Sequence, residues 1–145
     1  MAEMIPDQQG RIVVVEAAPA GPGVDWTHTL PLRVRWRLRT IQATLVAGPD
    51  VVDRIPELTI TQNGHEIIRI TVSQSLAANL TFIYGWMEGE RALAVTGQTS
   101  RVTALPRQLH LNNQAIIACV TVGLTLTDQW NDVIISAEEW MEPLA

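Results

Sequence analysis

The sequence predicts an all-β protein built as a two-sheet antiparallel sandwich. Three observations favour this fold class. Apolar and polar residues alternate along many short segments, turn residues separate these segments at intervals of roughly ten residues, and no long segment has the apolar period of an amphipathic helix. About seven to nine strands are predicted in this way, a number that suits an eight-stranded jelly roll, the variant of the sandwich that we expect.

The start of the chain is predicted to be an arm and a linker. Residues 1–23 comprise a polar beginning, a β-branched segment at 11–16 and a stretch rich in alanine, proline and glycine. The β-branched segment fits either a first strand of the same domain or a strand donated to the sheet edge of a neighbouring subunit. Residues 24–145 are then a single β-sandwich domain, which is a usual size for one domain.

The next strand carries the most unusual pattern in the chain. Arginine alternates with large apolar residues, and side chains on a strand alternate between the two faces of the sheet. Trp36 is therefore predicted to face the core, with the arginines on the opposite face. The apolar positions change from even to odd after Arg39, which predicts a β-bulge near Arg39 and Thr40. A bend that passes the strand from one sheet to the other would also fit. The four arginines are Arg33, Arg35, Arg37 and Arg39.

Two later segments give further strand predictions. Asn63 and Gly64 stand between alternating apolar segments, which is a strong indication of a β-hairpin. A three-residue loop would place Leu58 opposite Ile68 and keep apolar residues together, so we expect that register. Residues 114–126 are apolar at successive positions, which predicts a central strand covered on both faces.

Composition and charge limit the classes of function. The chain has 145 residues, 47% of them hydrophobic and 17% charged, as in a folded globular domain. Its net charge of −5 disfavours general nucleic-acid binding, which usually goes with a basic domain. No apolar segment reaches the roughly 18 residues of a membrane span, and the first residues lack the pattern of a signal peptide. We expect a soluble protein made in a cytoplasm, with no membrane partner.

No catalytic, cofactor-binding or metal-binding residue is predicted. Phosphate-binding loops, zinc patterns and the common hydrolase motifs are absent from the sequence. His28, His65 and His110 are far apart along the chain, and Cys119 lies in an apolar segment where a buried, inert thiol is expected. Adjacent glutamates at positions 138 and 139 would point to opposite faces of a strand and do not form a catalytic pair. A non-enzymatic protein is therefore expected.

Arginine and tryptophan together favour an interface, because both are enriched at the energetic centres of protein contacts. The arginine row requires a matching acidic surface, for which two alternatives are open. The carboxylates of the last strand, at Asp132, Glu138 and Glu139, could pair with the row within the chain. An acidic surface on another subunit could do so instead. Further interface candidates, near predicted strand ends, are Trp86, Trp130 and Trp140.

Short motifs in a fixed order cover most of the chain between Val24 and Trp140. They are DWTHTLP (25–31), VRWRL (34–38), ATL (43–45), DRIPELTI (53–60), NG (63–64), DQW (128–130) and EEW (138–140). In the order and spacing of the tryptophans, this set resembles small virion proteins encoded by tailed bacteriophages. The resemblance brings no catalytic motif with it.

The resemblance implies a structural protein of the virion, made in the cytoplasm of a bacterial host. A small acidic all-β domain without a helical stalk suits a capsid decoration or cement protein, which would bind the major capsid protein or other virion proteins. Such proteins often assemble as homotrimers. The alternative is a tail, neck or fibre component with a receptor- or carbohydrate-binding module, which would expose Tyr84, Trp86 or Trp130 in a shallow groove. An enzyme such as a depolymerase would need a cleft with convergent carboxylates.

Overall fold

A computed structural model of the chain describes residues 10–18, 20–72, 74–89, 93–94 and 99–142. These residues form strands, turns and loops, and none of them is helical. Eleven strands follow one another along this part of the chain. They are β1 (Arg11–Glu16), β2 (Thr27–Thr29), β3 (Val34–Val46), β4 (Ile55–Gln62), β5 (His65–Thr71), β6 (Thr81–Glu88), β7 (Leu93–Ala94), β8 (Ser100–Leu105), β9 (His110–Leu111), β10 (Ile116–Val122) and β11 (Gln129–Met141).

The strands form two sheets that pack face to face around one core. The larger sheet has the strand order β1-β11-β3-β6-β8-β7, with β9 also paired to β3, and the smaller sheet has the order β2-β10-β4-β5. Buried apolar side chains from both sheets form one cluster between them. The prediction of an all-β two-sheet sandwich is confirmed, and the jelly-roll variant stays a prediction. Among the described residues, no helix is long and apolar enough to span a membrane.

One strand pair departs from the antiparallel arrangement that we predicted. β6 and β8 run parallel, with Ile83 opposite Ser100. A parallel pair needs a crossover connection in place of a tight turn, and residues 89–99 supply that connection. β7 lies within the connection and pairs antiparallel with β8 on the side away from β6.

The predicted bulge in β3 is confirmed. Two adjacent residues of β11 pair with Leu38 and Thr40, so that Arg39 is the additional residue in β3. Leu38 before the bulge and Ile41 after it are both fully buried. The bulge therefore lets one long strand present apolar side chains to the core on both sides of the change in phase.

The hairpin between β4 and β5 differs from the predicted one. Asn63 and Gly64 form a two-residue turn, and both have positive φ, at 51° and 78°, as a type I′ turn requires. A bulge at Ile67 then shifts the pairing, so that Leu58 lies opposite Ile70. The predicted three-residue loop and its pairing of Leu58 with Ile68 are therefore wrong, although the two-residue turn and the bulge still place apolar residues opposite one another.

The strand predicted to be covered on both faces is covered on one. β10 is an inner strand of the smaller sheet, and Ile117 and Cys119 point into the core. Ile116 and Val120 are exposed on the outer face. β-Branched residues are favoured in strands even at exposed positions. Apolar residues on both faces of β10 therefore do not require that both faces be buried.

β1 occupies the edge of the larger sheet and pairs antiparallel with β11 of the same chain. Arg11 lies opposite Glu139 at one end of the pair, and Glu16 lies opposite Ile134 at the other. Alternate residues of β1 pack against the core, and the residues between them are exposed. Residues 1–9 of the predicted arm lie outside the described residues, and donation of this strand to a neighbouring subunit stays a prediction.

Candidate functional site

The arginine row lies on the outer face of the larger sheet. Arg35, Arg37 and Arg39 belong to β3 and project away from the core, because the residues between them are buried. Arg33 precedes the strand and has a left-handed backbone conformation, with φ of 63°. The row predicted as four strand residues is therefore three strand residues and one turn residue. We call these four arginines together the arginine face.

The end of the same chain neutralises two of these arginines. The antiparallel register places Glu138 of β11 opposite Arg37, and their charged atoms are 3.3 Å apart. Arg35 pairs with Glu142, just after β11, at 3.2 Å. Arg33 and Arg39 form no ion pair with any residue that the structure describes. Pairing within the chain thus holds for Arg35 and Arg37, and an acidic surface on another subunit stays a prediction for Arg33 and Arg39.

Of the three carboxylates predicted to face the row, only that of Glu138 pairs with it. Glu139 projects to the opposite side of β11, where its carboxylate accepts hydrogen bonds from Trp36 Nε1 at 2.9 Å and from Arg11 Nη2 at 2.7 Å. Asp132 is exposed in a bulge of β11, where its φ is 51°. Glu138 and Glu139 point to opposite faces of the sheet because side chains alternate along a strand. The pairing of Glu139 with Arg11 depends on the register between β1 and β11, which the sequence did not predict.

The three tryptophans predicted as interface candidates are buried within the single chain, and their role at an interface stays a prediction. Trp86 lies near the end of β6, and Trp130 and Trp140 lie near the two ends of β11. Trp130 Nε1 donates a hydrogen bond to Asp25 Oδ1 at 3.0 Å. Trp140 stacks on His110 with ring centroids 5.9 Å apart. Positions at the ends of long strands are covered here because the opposite sheet or neighbouring chain segments pack over them.

Two groups with possible chemistry lie on the paired strands β2 and β10. His28 lies in β2, where burial lowers its pKa, and stacks on Trp36. Cys119 is a buried free thiol in β10, and desolvation raises its pKa. Within the described part of the chain, no group of three or more histidine, cysteine, aspartate or glutamate residues could hold a metal ion.

A second ordered feature lies at the end of the sandwich that follows β3. Arg54 and Asp128 are both fully buried and form a paired contact, with Nε–Oδ2 at 2.9 Å and Nη2–Oδ1 at 3.0 Å. Asp128 also accepts hydrogen bonds from the backbone N–H groups of Gly48 and Thr125, each at 2.8 Å. One ion pair therefore joins the loops 48–53 and 123–128, which we call the loop end.

The pKa of Asp128 reflects this environment. Burial by itself raises the pKa of the carboxyl, but hydrogen bonds from Arg54, Gly48 and Thr125 outweigh it and lower the pKa to about 2. The sequence places these residues far apart in the chain, so pattern reasoning missed the pair. The only local sign of the ion pair was that Arg54 and Asp128 each lie beside a turn-rich segment.

The surface of the loop end is apolar and acidic. Val51 is 98% exposed and Leu126 is 84% exposed, and the carboxylates of Asp50 and Asp53 lie in the loop that carries Val51. Neither aspartate forms an ion pair with a described residue.

Together, these features define a β-sandwich with arginines on one sheet face and acidic residues at the loop end. Comparisons of the chain with protein-family models, with curated proteins and with solved structures find no match. The resemblance to phage virion proteins therefore stays a prediction, and enters the function only as part of a proposal.

Proposed function

We propose that this chain is a non-enzymatic structural protein of a tailed-phage virion, which binds and stabilises the capsid shell as a decoration or cement protein. The observation that carries the proposal is the arginine face. Two of its guanidinium groups have no ion partner among the described residues, although the chain as a whole has a net charge of −5. Such a face fits an acidic protein surface on a neighbouring subunit.

The energetics of this face favour a role in contacts over a role in folding. An exposed ion pair contributes only about 0–1 kcal/mol to stability, so two exposed arginines without partners contribute little to the fold of the chain. At a partly desolvated contact, the planar guanidinium forms paired hydrogen bonds with a carboxylate and thereby sets register and specificity. The ion pairs of Arg35 and Arg37 hold those neighbouring side chains in place and reduce the entropy lost on binding.

The alternative as a carbohydrate- or receptor-binding module on a tail, neck or fibre has less support. Its expected groove required exposed Tyr84, Trp86 or Trp130, and all three side chains are buried. Tyr84 donates its hydroxyl to the carbonyl of Gln74 at 3.0 Å and packs against Trp86 and Trp130. These aromatic residues support the sandwich instead of offering stacking surfaces for a sugar.

The copy number of the protein in purified particles tests the proposed role. A decoration protein covers the shell, so we expect hundreds of copies per particle by quantitative mass spectrometry. A few to a few dozen copies would contradict shell decoration and support a tail or neck position. Absence from washed particles would contradict virion membership altogether.

Substitution of the unpaired arginines tests the proposed surface. In the Arg33→Ser/Arg39→Ser variant, we expect at least tenfold weaker binding to shells that lack the protein, with an unchanged unfolding midpoint. Arg69→Ser is the matched control, because Arg69 is also exposed but lies on the smaller sheet, where it pairs with Glu57 and Glu66. Equal binding by both variants would show that the arginine face is not the contact.

A further inference from the structure

Gly85 lies in the interior of a central strand, where the fold does not require a glycine. Its strand, β6, pairs with β3 on one side and with β8 on the other. The register is regular on both sides, with Gln42 and Val102 directly opposite Gly85, so that no bulge explains the residue. Glycine inside a strand is less stable than alanine, and in the absence of a bulge it often marks a place that another molecule approaches closely.

The backbone and the surroundings of Gly85 would both accept a side chain. Gly85 is not one of the glycines with positive φ, so that its conformation suits any residue. Among the described atoms, an added Cβ would first meet the end of the flexible Met87 side chain at 3.3 Å. The next neighbours are two backbone carbonyl oxygens at 3.9 Å, which is an ordinary contact distance. Neither strain nor crowding therefore accounts for the missing side chain.

The missing side chain leaves a depression in the outer face of the larger sheet, which we call the Gly85 depression. Its volume is about 100 Å³, and the half-buried side chains of Ile83, Met87 and Val102 form its apolar walls. Pockets for small-molecule ligands are larger, at roughly 300–1,000 Å³. An apolar cavity of about 150 Å³ admits a benzene molecule, so the Gly85 depression suits one aliphatic side chain and is too small for an aromatic ring.

The Gly85 depression adjoins the arginine face on the same side of the sheet. Gln42, which lies opposite Gly85, follows Arg39 by three residues along β3 and projects outward. One strand spacing across and three residues along put the Cα atoms of Arg39 and Gly85 about 11 Å apart. On the other side of Gln42, Ile134 of β11 is 40% exposed. A single partner surface can therefore cover the unpaired arginine and the apolar depression together.

We propose that the Gly85 depression receives an aliphatic side chain of the shell protein, within the same contact that the arginine face makes. This inference rests on the proposed function and deepens it, because it adds an apolar anchor to a contact based on charge. Three residues of an extended segment span about 10 Å, which matches the separation of Arg39 and Gly85. The partner is thus an extended segment that carries a valine, leucine or isoleucine three residues from an aspartate or glutamate.

The anchor and the arginines contribute differently to such a contact. Charge pairs at the rim of a contact mainly set specificity and the rate of association. An aliphatic side chain that enters a fitted, dry pocket near the centre supplies a large share of the affinity. A depression without a side chain at its floor is therefore useful for binding, although glycine at that position is unfavourable for the strand.

Filling the depression tests the inference. We expect Gly85→Val to bind shells that lack the protein at least tenfold more weakly, with an unfolding midpoint that is unchanged or raised, because valine suits a strand better than glycine. The smaller change Gly85→Ala should weaken binding several-fold, so that the test also holds if valine disturbs β6. Natural affinity in a folded variant of either kind would overturn the inference.

Ala118→Val is the matched control, because it adds similar bulk on the outer face of the smaller sheet, where Ala118 lies opposite Thr59. This variant should bind shells like the natural chain. An equal loss of binding in Ala118→Val and Gly85→Val would overturn the inference, since the effect would then not be specific to the depression.

Thiol labelling reports directly on whether the depression is covered. Ser100 lines the depression and is exposed, whereas the natural thiol of Cys119 is buried. We expect Ser100→Cys to react at least tenfold more slowly on decorated shells than in the free chain. Thr71→Cys, at an exposed position of the smaller sheet, should react equally fast in both. Equal rates for Ser100→Cys in the two states would overturn the inference.

The same experiments separate this inference from the proposed function. If the natural chain does not bind shells, the proposed function fails and the inference fails with it. If binding is lost in Arg33→Ser/Arg39→Ser but retained in Gly85→Val, the inference alone is overturned and the proposed function stands. Loss of binding in both variants, with both proteins folded, is the result that we expect.

Discussion

The substitution Arg54→Met removes one partner of the buried ion pair at the loop end. Both side chains of the pair are fully buried, and they share two hydrogen bonds at 2.9 and 3.0 Å. The variant would leave the carboxylate of Asp128 in the interior without its guanidinium partner, and loss of one partner of a buried pair costs about 3–5 kcal/mol. This is a large part of the roughly 5–15 kcal/mol that stabilises a domain.

Urea unfolding measures this cost. With a dependence of about 2 kcal/mol per molar urea, the unfolding midpoint should fall by about 2 M and the slope should stay unchanged. Arg69→Met is the control, because Arg69 pairs with two glutamates on the exposed face of the smaller sheet, and this variant should leave the unfolding midpoint nearly unchanged. A loss below 1 kcal/mol for Arg54→Met would refute the reasoning that the pair is desolvated and important.

The same pair gives the protein a pH dependence with a definite sign. The pKa of Asp128 is about 2 in the folded state, below its ordinary value near 4. Stability from this lowered pKa is fully present above about pH 4 and is lost as the pH falls from about 4 to 2, by about 2 kcal/mol. In Asp128→Asn this part of the acid destabilisation should disappear, and an unchanged acid profile would contradict the assignment.

The remaining predictions concern the interior and the turns. Cys119 should react with thiol reagents only on unfolding, because burial raises its pKa and blocks access, and labelling of the native protein within minutes would contradict this. Gly123→Ala should cost about 3 kcal/mol in urea unfolding, because φ is 81° and an added Cβ would lie 2.3 Å from a carbonyl oxygen. Gly64→Ala, with φ of 78° and open space around it, should cost only about 1–2 kcal/mol. Glu139→Met should cost about 1–3 kcal/mol because it leaves Trp36 Nε1 without its buried acceptor, and a cost below 0.5 kcal/mol would show that this hydrogen bond is dispensable.

Local periodicity accounted for much of β3. The alternation of arginine with apolar residues predicted which side chains face the core, and the change of phase predicted the bulge at Arg39. Both features depend only on neighbouring residues of a single strand. The hairpin at Asn63 and Gly64 was predicted for the same reason, but its register was not, because the bulge at Ile67 depends on how β5 packs against the core.

Contacts between distant segments were beyond this kind of reasoning. Arg54 and Asp128 are far apart in the sequence, and their pairing depends on how two loops meet at one end of the sandwich. The burial of Trp86 and Trp130 likewise depends on the opposite sheet, although each residue lies near the end of its strand. A sequence pattern reports the direction of a side chain relative to its own strand and gives no distance to another one.

By itself, the sequence determined the fold class, the outward direction of Arg35, Arg37 and Arg39, and the position of the β3 bulge, because period and turn chemistry are local properties of the backbone. Only the tertiary structure decided the charge balance of that face. The register between β3 and β11 places Glu138 against Arg37 and leaves Arg33 and Arg39 without ion partners among the described residues. That register is set by long-range strand pairing and core packing, which act on the whole chain at once.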